Sequence, residues 1–206
     1  MAVDLRSIRI RNTLVPGDIG YVTYLHGALY AAEYHYGISF ETYVATGLRE
    51  FYENFAPEKD RVWLCEYEGK TVGTLFLMHR EENAAQLRYF LLEPKVRGIG
   101  LGKNLMDLYM EFLRACRYRS SYLWTTDELT TAAVLYRRHG FVLTEEKPST
   151  AFGKPLSEQR YELVLAGDRE QGAGDREQRT LSCPLYPVTC SLIRRRRLAH
   201  FASTIL

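Results

Sequence analysis

Three glycines at alternate positions, Gly98, Gly100 and Gly102, separate a β-patterned run that ends at Leu92 from a helix-patterned run that begins at Leu101. Lacking a Cβ, such residues let a backbone approach a ligand closely and adopt conformations closed to other residues. Between a strand and a helix, the loop aims unpaired helix N–H groups at an anion, and the helix dipole adds to the attraction. Arg97 and Lys103 flank it with positive charge. A phosphate-bearing ligand suits this arrangement; a plain tight turn is the alternative that the loop alone leaves open.

Spacing narrows the choice of phosphate. A nucleoside-triphosphate loop places four residues between its first glycine and Gly-Lys-Ser/Thr. Here Gly98 and Gly102 enclose three, and Asn104 stands where the Mg²⁺-binding hydroxyl belongs. A dinucleotide fingerprint reads G-x-G-x-x-G after the first strand of a β-α-β unit. In this chain Lys103 occupies the third glycine position, and three hairpin-type strands come first. Both nucleotide readings fit poorly.

The flanking patterns set the fold. Ser7 to Arg11 alternates like a short first strand, and Pro16-Gly17 leads to Asp18 as the N-cap of a helix reaching about Tyr36. Ile19, Val22, Leu25 and Leu29 lie near one face of it. A second helix is predicted from Phe40 to Asn54, with Pro57 preventing its continuation. Arg61 to Tyr67 and Lys70 to His79 read as a hairpin turned at Glu68-Gly69, and Ala84 to Leu92 as a third strand. A helix from Leu101 to about Arg117, a short strand from Tyr122 to Thr125 and a helix from Thr130 to His139 follow. Gly140 closes that helix, and Phe141 to Glu146 and Gln159 to Leu165 are the last strands. The order β-α-α-β-β-β-α-β-α-β-β predicts an α/β (α+β) fold, a mixed, mostly antiparallel central sheet with helices on both faces.

The chain has 206 residues and a formal charge of +2, which suits one domain and argues against a protein that coats nucleic acid. The surplus is local. The last 41 residues, from Ala166, hold seven arginines and four acids, whereas the first 165 hold 20 basic and 21 acidic residues. Residues 166–206 begin with a direct repeat of Ala-Gly-Asp-Arg-Glu-Gln and have little to bury, so they read as a low-complexity, disordered extension. Arg194 to Arg197 alone are weak evidence of a nucleic-acid or membrane contact. No apolar run is long enough to span a membrane, and none of signal-peptide length follows Met1. Cys65, Cys116, Cys183 and Cys190 lack metal-ligand spacing; the first two are expected to be buried thiols, and a cytoplasmic location follows as the default.

The run Arg97-Gly98-Ile99-Gly100-Leu101-Gly102 resembles the R/Q-x-x-G-x-G/A motif of the GNAT superfamily of N-acetyltransferases. Downstream, Tyr136-Arg137-Arg138-His139-Gly140-Phe141 is similar to that family's second signature, a helix ending in Tyr-x-x-x-Gly-Phe. The resemblance covers about residues 7 to 165, and the strand order is the family's. The segments His26-Gly27-Ala28-Leu29-Tyr30 and Leu123-Trp124-Thr125 look closest to acetyltransferase domains fused to MarR-type regulators, here without the DNA-binding domain.

That resemblance implies acetyl-CoA as acetyl donor. Its pyrophosphate would rest on the backbone of Arg97, Gly98, Ile99, Gly100, Leu101 and Gly102 with Lys103 close by, and its pantetheine arm on Leu91 and Leu92. Tyr136 matches the family's general acid. Glu33 and His26 on the first helix, and Glu93 at the end of the third hairpin-type strand, are candidates for the base or for holding a cationic substrate. Leu129 stands where many members carry a cofactor-binding Asn. The expected activity is direct acetyl transfer to a primary amine, in a small molecule or a protein, with no nucleic acid or membrane as partner and a homodimer as an open expectation. An acyl-CoA-binding sensor or interaction module without turnover is the alternative.

Overall fold

Strands β2 (Arg61–Tyr67) and β3 (Lys70–Arg80) bury residues on both faces, which places them in the middle of a layered fold. In β2, Trp63 and Cys65 join one buried cluster while Val62 and Leu64 join the other. That is the period-two alternation of a strand covered on both sides. The structure, a computed structural model, describes residues 3–165. Its other elements are β1 (Arg9–Arg11), α1 (Asp18–Tyr34), α2 (Ile38–Glu53), β4 (Ala84–Leu92), α3 (Leu101–Ala115), β5 (Ser120–Thr126), α4 (Thr130–Arg138), β6 (Val142–Ser149) and β7 (Leu156–Val164).

The seven strands lie in the order β1-β2-β3-β4-β5-β7-β6. Among the described residues only β4 and β5 run parallel; the other neighbouring pairs are antiparallel. Leu101, Leu105, Met106, Tyr109 and Phe112 of α3, with Ala133 and Tyr136 of α4, cover one face. Val22 of α1 and Phe40, Val44, Leu48 and Phe51 of α2 cover the other. The mixed, mostly antiparallel sheet with helices on both faces is the expected fold class. Pro148 sits in β6, an edge strand, where a missing N–H costs no ladder bond.

Several boundaries differ from the sequence-based expectation. Residues Leu5–Ser7 form a 3₁₀ turn, with the Asp4 carboxylate accepting from the Arg6 N–H, so β1 is shortened to begin at Arg9. Gly17, at φ 101°, is the N-cap of α1, and Asp18 is its first residue. The Asp18 carboxylate turns back to accept from the Val15 N–H at 2.7 Å and from both ends of the Arg11 fork at 2.7 and 2.9 Å. Burial works against its charge, but Arg11 and Val15 outweigh it and hold the carboxyl below the usual range. Helix α2 begins at Ile38, and β6 and β7 form a longer hairpin than expected. Cys65 is buried as expected, whereas Cys116, the C-cap of α3, is only half-buried. The expected extension from 166 onward lies outside the described residues.

Candidate functional site

Strands β4 and β5 pair from Ala84↔Ser120 to Leu87↔Leu123 and no further, although β4 continues to Leu92 and β5 to Thr126. Their ends part at a β-bulge. Tyr89 has φ 51°, and the register against β3 slips between Thr74 and Phe76. A bulge bends its strand and interrupts the alternation of side chains. Arg88 and Tyr89, neighbours in the chain, therefore both reach α2, where a Cβ on Gly47 would fall against the Tyr89 hydroxyl and the Arg88 guanidinium. Phe90 and Leu92 then face α3, where both lie beside Gly102. The Thr74 hydroxyl donates to the Tyr89 carbonyl at 2.5 Å and pins the bulge.

The glycine loop follows directly. Gly98 and Gly100 have φ of 77° and 91°, the left-handed region that other residues enter at a cost. A Cβ on Gly98 would meet no atom within 4 Å, so backbone conformation and not crowding demands glycine there. Gly102 serves differently: a Cβ on it would stand 3.4 Å from Leu135 and 3.5 Å from Leu92, at the contact of α3 with β4 and α4. The first backbone bond of α3 runs from the Asn104 N–H to the Gly100 carbonyl. The N–H groups of Gly98, Ile99, Gly100, Leu101, Gly102 and Lys103 have no acceptor among the described residues. Six successive unused donors at a helix N-terminus are the arrangement that suits an anion.

The parted strands open a cavity of about 600 Å³, its mouth included. It runs between α1 and α2 on one side and α4 on the other, and Tyr136, His26, Arg88, Trp124, Thr125 and Leu129 are on its wall. Tyr136 is only 5% exposed, packed near Phe90, Phe141 and Tyr161. Burial first, then the neighbouring Tyr161, pushes its phenol above the ordinary range, so it stays protonated. The His26 Nδ1 lies 2.8 Å from the Val22 carbonyl, which can only accept, so Nδ1 carries the proton and Nε2 is left as an acceptor. Burial depresses His26 to about 4, with the Arg88 charge adding to the effect and the Val22 bond opposing it. At neutral pH it is uncharged.

The other expected residues hold the site's edges. Arg97 donates from Nε to the Leu92 carbonyl at 2.8 Å and spreads its fork over Glu33, both contacts at 2.9 Å. The pair ties the loop to α1. Glu93 faces Lys95 at 2.9 Å, and Lys103 faces Asp107 at 2.6 Å. The structure places neither Glu33 nor Glu93 on the cavity wall. Arg88 and the bulge were not among the expected features, although Tyr89-Phe90-Leu91-Leu92 breaks the alternation of Ala84 to Arg88 and signals one.

Residues 28–141 match the model of the acetyltransferase (GNAT) family. The chain belongs to this family. Among curated proteins, the uncharacterized N-acetyltransferase YjgM of Escherichia coli K12 is 34% identical over 97 residues, 46% of this chain and 58% of YjgM's length. A GNAT-family acetyltransferase from Staphylococcus aureus Mu50 superposes with a TM-score of 0.64 at 19% identity, covering 77% of this chain and 99% of its own. The yncA protein from Salmonella typhimurium, in a structure that holds its cofactor acetyl-CoA, gives 0.62 at 16% identity over 82% of this chain and 99% of its own. These likenesses bear on the GNAT fold. No helix among the described residues is long and apolar enough to cross a membrane.

Proposed function

We propose that this GNAT-family chain transfers an acetyl group from acetyl-CoA directly to a primary amine, with both bound at once. The observation that carries the reading is the meeting of the cradle with the cavity. Phe90 lines the cavity and lies 3.9 Å from where a Cβ on Gly102 would stand, and Tyr136 follows Leu135, the other neighbour of that glycine. An anion on the N–H groups of Gly98 to Lys103 is thus next to the chamber where Tyr136 points its chemistry.

The residues present fit acetyl-CoA. Gly98 to Lys103 supply backbone donors for a pyrophosphate; the Arg97 N–H, expected to join them, is instead taken by the Pro94 carbonyl at 3.2 Å, and the Arg97 side chain is fixed by Glu33. From Arg88 to Leu92, β4 has no strand partner on the β5 side, so the backbone of Leu91 and Leu92 is suited to pair with an extended amide-bearing arm. Acetyl-CoA, when bound, supplies an acyl group activated as a thioester, and the yncA structure supports this choice of donor. A backbone N–H at the end of β4 is the oxyanion donor. Tyr136, kept protonated, donates to the departing sulfur.

The amine must arrive uncharged, although a free lysine-type amine has a pKa of ~10.4. His26, near 4, is a poor recipient of that proton; the transfer would be uphill by ~9 kcal/mol. Its role is to orient the neutral amine through Nε2. The proton leaves through water to the solvent; Glu33 and Glu93, paired with Arg97 and Lys95 at the site's edges, can relay it along such a chain but not keep it, since a carboxylate is by the same argument a poor final recipient.

The test is release of CoA by the purified chain over a panel of small amines. Tyr136→Phe should lower turnover by about a hundredfold while leaving acetyl-CoA affinity nearly unchanged; an unchanged rate would remove Tyr136 from the chemistry. A second reading, an acyl-CoA-binding module without turnover, draws on the lack of a carboxylate on the cavity wall among the described residues. Binding of acetyl-CoA with no release over the whole panel would favour it.

A further inference from the structure

Arg88 is the one cationic side chain on the cavity wall among the described residues, and no carboxylate there pairs with it. Other arginines of the fold are held by carboxylates. Arg11 rests on Asp18 and Glu66, Arg97 on Glu33, and Arg160 on Glu162. Arg88 instead lies against two rings, its guanidinium carbon 4.8 Å from the centroid of Tyr89 and 5.2 Å from that of Tyr43. The bulge at Tyr89 and the missing Cβ of Gly47 are what make room for it. A guanidinium presents a planar fork of donors that matches a carboxylate bidentately.

We infer that the acceptor of this chain is a small amine that also carries a carboxylate, and that Arg88 is the residue that binds the carboxylate. The inference rests on the acetyl-transfer reading above and names its substrate class. Charge selects a carboxylate over a phosphate ester. The cavity wall carries one positive charge, since His26 is neutral at pH 7. A monoanion neutralises it, whereas a dianion would leave an uncompensated charge in a low-dielectric space. The two faces of the cavity divide the work: Arg88, between α2 and the bulge, takes the carboxylate end, and the amine is directed toward Tyr136 on α4.

The experiment uses the whole chain with saturating acetyl-CoA and follows CoA release. Its panel is a set of α-amino acids and straight-chain ω-amino acids, each compared with its own carboxamide. A carboxamide lowers the basicity of a nearby amine and makes more of it neutral, so amine reactivity biases the comparison against the proposal. The expected result is a preference for the free acid, in kcat/KM, on the order of a hundredfold for the best pair. Arg88→Gln should erase that preference mainly through KM, and Arg88→Lys should restore only part of it. If the acids and amides react equally, or amines without a carboxylate are favoured, or the preference survives Arg88→Gln in a variant with the parent's unfolding temperature, the assignment is overturned. It is equally overturned if acetyl-CoA binds but no member of the panel is acetylated. Failure of acetyl-CoA to bind at all would instead remove the transfer reading beneath it.

Discussion

His26 is held uncharged by its surroundings, and that has a consequence for stability. In the unfolded chain a histidine titrates near 6.5, and in the fold this one is depressed to about 4 by burial. Between those values the unfolded state binds a proton that the native state refuses, so stability falls as pH falls. The contribution is complete above about 6.5 and is lost progressively toward 4; its size is about 3 kcal/mol. His26→Gln should flatten the fall in unfolding temperature between pH 7 and pH 5, and an unchanged slope would show that His26 does not titrate as described. Such residue-level roles were unevenly legible. The glycines and Tyr136 announce themselves through short local motifs, because left-handed backbone and a helix-borne phenol depend on near neighbours in the chain. Arg88 does not, because its meaning comes from Gly47 and Tyr43, more than 40 residues away.

At the scale of elements, α2 and the bulged half of β4 are fitted to each other at Gly47. Glycine inside a helix ordinarily costs about 1 kcal/mol relative to alanine. Here it is buried against Arg88 and the Tyr89 hydroxyl, so the usual gain should reverse. Gly47→Ala is expected to destabilise the chain by about 1–3 kcal/mol in urea unfolding. A stabilised variant would contradict the close fit. Most elements could be read from the sequence because their periodicity reports burial directly: β2, β3 and α3 are examples. Ends were harder. Asp18 has the chemistry of an N-cap, but Arg11 and the Val15 N–H offer its carboxylate better partners, so Gly17 takes the cap. The splay of β4 from β5 left only an indirect mark, the broken alternation at Tyr89-Phe90-Leu91-Leu92, since pairing that stops after four residues shows in neither strand alone.

At the scale of the whole molecule, the described residues form seven strands between two apolar layers, and they end at Leu165, whose N–H bonds the Arg119 carbonyl at 2.9 Å. We propose residues 1–165 as the folding unit. A chain ending at 165 should unfold cooperatively at nearly the temperature of the full chain; loss of a cooperative transition would refute that boundary. Within this unit the glycine loop links both layers, through Gly102 to α4 and β4 and through Arg97 and Glu33 to α1. A ligand on the loop therefore touches the parts that shape the cavity. The most direct measurement is calorimetric titration of acetyl-CoA into the full chain and into Gly100→Glu, which puts a carboxylate and a strained backbone into the cradle. Micromolar binding at one site per chain, strongly weakened in the variant, is the predicted result. No binding to the parent chain, or equal binding to both proteins, would contradict the account.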